Sequence, residues 1–163
     1  MKKSTYISMT EKINGSRILK HAVVSLDVVL TKAVYIIYPV FIAALFVTGT
    51  PGLPQAVLVP GVPFVLLSIF REIYNSPRPY EVFDFPSVID KKTKGKSMPS
   101  RHVFSMFVIA VTVYCFYKVP GLFIGTAGIV MAVVRVVGGV HFPKDVIAGA
   151  VIGIMSGVIG FMI

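Results

Sequence analysis

The chain has 163 residues, of which 55% are hydrophobic and only 14% are charged. Soluble domains carry about 25% charged residues, so the composition indicates a membrane protein, and the length suits one compact helical domain. A net charge of +9 would suggest nucleic acid in a soluble protein. In a chain with apolar membrane spans, the positive charge instead indicates binding to membrane lipids with anionic head groups. We therefore predict no nucleic-acid partner. A single cysteine, Cys115, excludes an intrachain disulfide.

The N-terminal residues 1–21 form a polar and basic segment. Tyr6, Met9 and Ile13 recur at helical spacing, which is typical of a short interfacial helix, and Asn14 with Gly15 should interrupt it. A solvated tail explains the composition equally well. No apolar region with a cleavage site follows the lysines, so we predict no removable signal peptide. We therefore divide the chain into a basic cytoplasmic or interfacial segment, 1–21, and a single membrane-embedded domain, 22–163.

The remaining sequence predicts an all-α, polytopic membrane helix bundle with about five transmembrane helices. The long polar stretch 71–99 separates the second span from the third, and glycines recur every four residues at the end of the chain. Such a glycine stripe predicts close contact with a neighbouring helix. The expected spans are 28–47, the segment from the turn at 48–54 to about 70, 100–117, 122–137 and 143–163.

Two histidines stand where helices are expected to begin. His141 and Asp145 are four residues apart and would share a helix face. A carboxylate bonded to one imidazole nitrogen leaves the other as a nucleophile or base. Pro143 between them also favours a simple helix cap, so the pair alone is ambiguous. His102 follows Ser100 at the predicted start of another helix, where free amides and a hydroxyl favour an anion.

Three arginines accompany these histidines. Arg135 lies inside an apolar helix, where its charge is unfavourable without an anionic partner. Arg71 and Arg78 flank the polar stretch, and guanidinium groups match phosphate oxygens with paired hydrogen bonds. Each arginine alone is compatible with contact to lipid head groups. Together with two histidines and an aspartate, they predict a phosphate site at one side of the membrane.

These residues resemble three motifs of the type 2 phosphatidic-acid phosphatase family, which shares its site with vanadium haloperoxidases. The family carries Lys, six residues and Arg-Pro; then Pro-Ser-Gly-His; then Ser-Arg, five residues, His, three residues and Asp. The resemblance covers about 53–163, and the family usually has six spans, so one N-terminal helix is missing here or reduced to the interfacial segment. The chain departs from the motifs at three positions: Arg71 for lysine, Arg101 for glycine and Val134 for serine.

The resemblance implies an integral-membrane, metal-independent lipid phosphatase without a cofactor. Its substrate would be a lipid phosphomonoester or diphosphate, similar to phosphatidic acid, phosphatidylglycerophosphate or undecaprenyl diphosphate. It implies that His141 attacks phosphorus to form a phosphohistidine, that Asp145 orients His141, and that His102 protonates the leaving oxygen. Arg101 would reach a second phosphate or the lipid head groups. The phosphate-binding residues implied are Arg71, Arg78, Ser100 and Arg135, and we add Arg101, which stands where the family has glycine, as a further candidate.

Two other classes remain open: a small membrane transporter and a non-catalytic lipid-binding membrane protein. A transporter predicts charges in mid-span, whereas these cluster at one interface. The intact His102, His141 and Asp145 argue against a catalytically silent protein, and a lipid substrate suits the apolar spans better than the halide of a peroxidase. The sequence does not indicate the oligomeric state.

The location of the site relative to the membrane has two conflicting indications. With five spans in a cell membrane, the N-terminal segment, the 71–99 stretch and the His141 turn share one side. The positive-inside rule places that side in the cytoplasm, whereas the family resemblance suggests the outer face. The lysines outside the motifs favour the cytoplasm: Lys91, Lys92, Lys94 and Lys96.

Overall fold

A computed structural model describes residues 1, 3–91 and 93–163. In these ranges the chain forms seven helices and no strand, which confirms the all-α prediction. Among the described residues, four helices are long and apolar enough to cross a membrane, namely α2, α3, α6 and α7, and α5 is a shorter apolar helix. The chain is a multi-pass membrane protein. The helices are α1 (Lys3–Asn14), α2 (Arg17–Val47), α3 (Leu53–Tyr74), α4 (Pro79–Phe83), α5 (Arg101–Phe116), α6 (Lys118–Val137) and α7 (Pro143–Met162).

The helix α2 begins well before the first predicted span. Ser16 adopts an extended backbone conformation at the N-cap, and its hydroxyl accepts a hydrogen bond from the Leu19 amide at 3.4 Å. A serine in this position satisfies one of the free amides at a helix start. The second helix therefore begins at Arg17, and the proposed division between residues 21 and 22 falls inside α2. As a division into domains it stays a prediction.

The helix α5 is the centre of the bundle, because it packs against α3, α6 and α7. The glycine stripe of α7 makes its close contact with α5 possible. A Cβ atom built on Gly149 would lie 2.6 Å from the Ser100 carbonyl oxygen, and one on Gly153 would lie 2.6 Å from the Phe104 carbonyl oxygen. Only glycine allows such an approach between backbones. The stripe thus confirms the predicted contact and holds the start of α7 against the start of α5.

The helix α1 is docked on the bundle by one face. Tyr6 and Thr10 are buried, and the Tyr6 hydroxyl donates a hydrogen bond to the His141 carbonyl oxygen at 3.0 Å. The Tyr6 ring packs at centroid distances of 5.8–5.9 Å against three phenylalanine rings, those of Phe83, Phe85 and Phe142. Of the two alternatives for the N-terminal segment, the structure shows the helix and not the solvated tail. It ends at Asn14, as predicted.

Candidate active site

The three motif segments meet at one end of the bundle, around a cavity of about 420 Å³. Ser100, Arg135 and Asp145 do not line this cavity and are buried beside it, each no more than 2% exposed. The amide of Ser100 donates to the Asp145 carbonyl oxygen at 2.8 Å, which joins the second motif to the third. The predicted residues that line the cavity are Arg71, Arg78, Arg101, His102 and His141.

The His141 imidazole is linked to Asp145 through Ser97, a serine that the sequence did not reveal. Nδ1 of His141 lies 3.7 Å from Oδ2 of Asp145, which is beyond hydrogen-bonding distance. The Ser97 hydroxyl donates to the same Oδ2 at 2.5 Å and lies 3.4 Å from Nδ1. Oδ2 also accepts the Phe142 amide at 2.9 Å. Ser97 therefore bridges the pair, and Nε2 is the imidazole nitrogen left for chemistry.

The environment of His141 favours its neutral form. The side chain is 1% exposed and lies outside the spanning helices, in the turn between α6 and α7. Burial lowers the pKa of His141 well below its ordinary value; Asp145 opposes this shift, and Arg78 and Arg135 add to it. Because the folded-state pKa is depressed, the imidazole is neutral at pH 7. A neutral imidazole has the lone pair that nucleophilic attack requires.

Arg71 and Arg78 fix the backbone that leads into α5. Arg78 donates from Nε to the Gly95 carbonyl at 2.9 Å and from Nη1 to the Val140 carbonyl at 3.0 Å. Arg71 donates to carbonyls within the segment 96–99. Each guanidinium has five N–H donors and uses three of them in this way. Both arginines therefore keep donors for an anion in the cavity that they line.

Arg135 has the anionic partner that its place in an apolar helix requires. Its Nε lies 3.1 Å from Oδ1 of Asp27 on α2, as an ion pair without hydrogen-bonding alignment. The two side chains are 3% and 13% exposed, so the charges are largely removed from solvent. The spacing of residues in the sequence did not indicate Asp27 as this partner, because α2 and α6 are far apart along the chain and come together only in the folded structure.

The start of α5 places three consecutive site residues in different surroundings. Ser100 is the N-cap and is fully buried, and its hydroxyl has no hydrogen-bond partner among the described residues. His102 is half-buried and faces the cavity. Arg101 is exposed, and its guanidinium lies 5.4 Å from the centre of the Phe64 ring. A free hydroxyl beside helix-terminal amides is suited to an anion.

The cavity also contains lysines from the polar stretch. Ile89 packs on α6, and the amides of Val88 and Ile89 donate to the Gly138 carbonyl oxygen at 3.1 and 3.3 Å. These contacts place Lys91 in the cavity wall, near Arg71, Arg78 and Arg135. Lys96 also lines the wall but is paired with Glu72. In the described ranges no three His, Cys, Asp or Glu side chains gather as metal ligands.

Comparison with known proteins assigns the chain to a family. The sequence profile of the PAP2 superfamily matches residues 54–163, which include all three motif segments. The chain belongs to the PAP2 superfamily. The resemblance drawn from the motifs is thereby confirmed. Tyr6 and Asp27, which contact the site, both precede the part of this PAP2 chain that the profile matches.

A curated relative is similar to part of this PAP2 chain. The bacitracin transport permease protein BcrC of Bacillus licheniformis is 26% identical over 97 residues, which are 60% of this chain and 48% of the relative. The chain thus spans about half the length of the curated relative that it matches.

Two solved structures share the PAP2 fold. LpxE of Aquifex aeolicus is similar with a TM-score of 0.74 and 24% identity, over 96% of this chain and 94% of that one. The first transmembrane PAP2 type phosphatidylglycerolphosphate phosphatase from Bacillus subtilis has a TM-score of 0.75 and 20% identity. The match covers 98% of this chain and 84% of that one. At these identities, the likeness concerns the fold.

Proposed function

We propose that this PAP2 protein is an integral-membrane phosphatase that hydrolyses a lipid phosphomonoester or diphosphate without a metal. The proposal rests chiefly on one observation: the buried His141, held by Ser97 and Asp145, lies in the wall of a cavity rich in cations. The Bacillus subtilis neighbour, a phosphatidylglycerolphosphate phosphatase, supports a lipid phosphate substrate. The charges gather at one end of the bundle, which suits a site better than the mid-span pathway of a transporter.

In the proposed reaction, Nε2 of His141 attacks phosphorus, and the bond from phosphorus to the leaving oxygen breaks. His102 gives its proton to that oxygen, then takes a proton from the water that attacks the phosphohistidine. The second step releases inorganic phosphate and restores both histidines. Phosphoryl transfer depends mainly on positioning and on stabilisation of charge, and Arg71, Arg78 and the start of α5 supply both. Arg135 does not line the cavity and is paired with Asp27, so it acts on the phosphate only through its charge and not through a direct contact.

The proposed function is tested by assaying the purified protein with phosphatidic acid, phosphatidylglycerophosphate and undecaprenyl diphosphate. We expect phosphate release from at least one of them in the presence of EDTA, because the arginines already supply the positive charge. Vanadate should inhibit, since it mimics five-coordinate phosphorus. An absolute requirement for magnesium would contradict the metal-independent mechanism, and inactivity on every lipid phosphate would contradict the function.

Lys91 should strengthen phosphate binding in a pH-dependent way. Burial lowers the pKa of Lys91 to about 8, with Arg78, Arg135 and Arg71 adding to the shift and Asp27 opposing it. Below that pH the ammonium attracts phosphate; above it the amine is neutral and the attraction is lost. We expect kcat/KM of the wild type to fall as the pH rises through about 8. Lys91→Arg should remove this fall.

Lys91→Met should lower kcat/KM at neutral pH by roughly fivefold, the effect of a partly exposed ion pair. Lys94→Met is the matched control, because Lys94 lies on the same wall but is more exposed. Identical pH profiles for the wild type and the Lys91→Arg variant would contradict a phosphate contact by Lys91.

Arg101 should distinguish diphosphates from monophosphates. Its guanidinium lies over Phe64 at the cavity edge, beside Ser100 and His102, so a second phosphate is within its reach while the first is at His141. Arg101→Gly, which restores the family residue, should remove a charge-assisted hydrogen bond of roughly 1.5–3 kcal/mol. The ratio of kcat/KM for a prenyl diphosphate over phosphatidic acid should then fall about 10- to 150-fold. An unchanged ratio would assign Arg101 to lipid head groups.

We further propose that the site faces the cytoplasm. Tyr6 bonds to the His141 turn, so α1 lies on the same side as the site, together with Lys91, Lys94 and Lys96. Lys92 lies outside the described residues. The turns at the other end of the bundle contribute essentially Lys118, so the positive-inside rule favours a cytoplasmic site.

A cysteine at Lys94, in a chain whose native Cys115 is replaced by serine, tests this orientation. An impermeant thiol reagent should label it in broken cells but not in intact cells. Ready labelling in intact cells would place the site on the outer face.

A further inference from the structure

The proposed nucleophile lies in the short turn between α6 and α7, where hydrogen bonds hold the peptide groups on both sides of His141. The Val140 carbonyl, in the preceding peptide, accepts from Nη1 of Arg78 at 3.0 Å. The amide of that peptide, which belongs to His141, donates to the Arg135 carbonyl at 3.2 Å. The backbone on the N-terminal side of His141 is thus fixed by two arginines of the motifs.

The peptide group that follows His141 is fixed by different partners. Its carbonyl, that of His141, accepts from the Tyr6 hydroxyl at 3.0 Å. Its amide, that of Phe142, donates at 2.9 Å to Oδ2 of Asp145, the oxygen that lies 3.7 Å from the imidazole. Tyr6 and Asp145 therefore hold opposite ends of one peptide group beside the nucleophile. Of these partners, only Tyr6 lies outside residues 54–163, which the PAP2 profile matches.

The Tyr6 hydroxyl has little freedom to leave this hydrogen bond. Its side chain is fully buried, and the ring is packed among three phenylalanine rings. Burial raises the pKa of Tyr6, and Asp145 adds to the rise, so the hydroxyl remains a donor over the pH range of enzyme assays. The packing of α1 on the bundle therefore directs this donor at the His141 carbonyl.

We propose that Tyr6 is a positioning residue for the nucleophile, which makes α1 part of the catalytic unit. Its hydroxyl holds the His141 peptide so that Nε2 faces phosphorus. Tyr6 does not line the phosphate cavity, and its proton is not transferred in the reaction. The inference rests on the proposed function, because it takes His141 as the attacking group. A displacement of ~1 Å can cost ~10²-fold in rate, so loss of the hydroxyl should slow attack rather than weaken substrate binding.

The variant Tyr6→Phe removes the hydroxyl and keeps the ring that packs α1 on the bundle. In single-turnover reactions with the best of the three lipid phosphates named above, formation of the phosphohistidine should slow by roughly tenfold, with a similar fall in kcat. KM should change by less than about twofold. Tyr38→Phe is the matched control and should keep the wild-type rate. The Tyr38 hydroxyl also donates to a backbone carbonyl, that of Ala56, but it ties α2 to α3 outside the phosphate cavity.

A contribution of the Tyr6 hydroxyl to stability alone would give a different result. Thermal unfolding would then show a lower melting temperature for Tyr6→Phe, while the phosphohistidine formed at the wild-type rate. That rate would overturn the proposal. A rise in KM with an unchanged rate of phosphohistidine formation would overturn it as well.

A second measurement requires no turnover. In protein that contains isotopically labelled histidine, the imidazole resonances of His141 are assigned by their absence from the His141→Asn variant. They should shift in Tyr6→Phe and not in Tyr38→Phe. Unshifted resonances in Tyr6→Phe would contradict the positioning role. A shift in a protein that hydrolyses no lipid phosphate would support the contact of Tyr6 with the His141 turn and contradict only the proposed function.

Discussion

Replacing His141 by alanine should abolish both turnover and the covalent intermediate. After a short reaction with a labelled lipid phosphate, the wild type should carry acid-labile, base-stable phosphate, and the variant should carry none. Uncatalysed phosphate-monoester hydrolysis can require up to ~10²¹-fold acceleration, so loss of the nucleophile should reduce kcat by more than ~10⁴-fold. Rapid-quench labelling and steady-state assays measure the two effects.

A matched control is available in His21→Ala, because His21 is exposed on α2 and has no predicted role. Since His141 is buried, thermal unfolding of the His141→Ala variant should be recorded beside its activity. His141→Asn, which keeps a polar group of similar size, serves as a second variant if alanine impairs folding. Normal turnover in either folded variant would refute His141 as the nucleophile. His102→Ala should instead slow turnover and still permit labelling when the leaving group is good.

Replacing Asp145 by asparagine should cause the second-largest loss. The carboxylate oxygen Oδ2 accepts hydrogen bonds from Ser97 and from the Phe142 amide, and it lies 3.7 Å from Nδ1 of His141. An amide lacks the charge that stabilises the cationic imidazole of a phosphohistidine. In serine proteases, a comparable change in the carboxylate that orients a catalytic histidine lowers kcat about 10⁴-fold. We expect about 10³- to 10⁴-fold here, with KM little changed, because Asp145 does not line the cavity.

The variant Ser97→Ala separates orientation of His141 from simple loss of charge. It removes the hydroxyl between the imidazole and the carboxylate but keeps the charge, and a loss of about 10- to 100-fold in kcat is expected for such a supporting group. Formation of the phosphohistidine should slow in both variants. A lower melting temperature with unchanged kcat for Asp145→Asn would instead show that Asp145 serves only to cap α7.

Local spacing explains why the fold class and the family could be predicted from the sequence. The four-residue interval from His141 to Asp145, the glycine stripe on α7 and the apolar spans depend on periodicity, which the chain displays directly. The details of the pair were less accessible. The helix α7 begins at Pro143, so His141 lies in the preceding turn and reaches Asp145 through Ser97 rather than along one helix face.

Long-range partners could not be predicted in this way. Asp27 pairs with Arg135, and Tyr6 bonds to His141, across separations that no local pattern records. The need for an anion beside Arg135 was evident from the energetics of a membrane helix. Its identity was not, because a single sequence does not show which face of α2 turns towards α6. The start of α2 was missed for a different reason: its first turns are polar, and only the Ser16 cap marks them.

The contact between Tyr6 and the His141 carbonyl has a consequence for biosynthesis. The two residues are separated by 135 positions, so α1 is made long before the turn on which it rests. Domains emerge from the ribosome N-terminal end first. During that interval the Tyr6 hydroxyl lacks the carbonyl to which it donates, although Phe83 and Phe85, against which the Tyr6 ring packs, are made earlier. The contact can form only after α6 is in place, which makes closure of the N-terminal helix a late event in assembly.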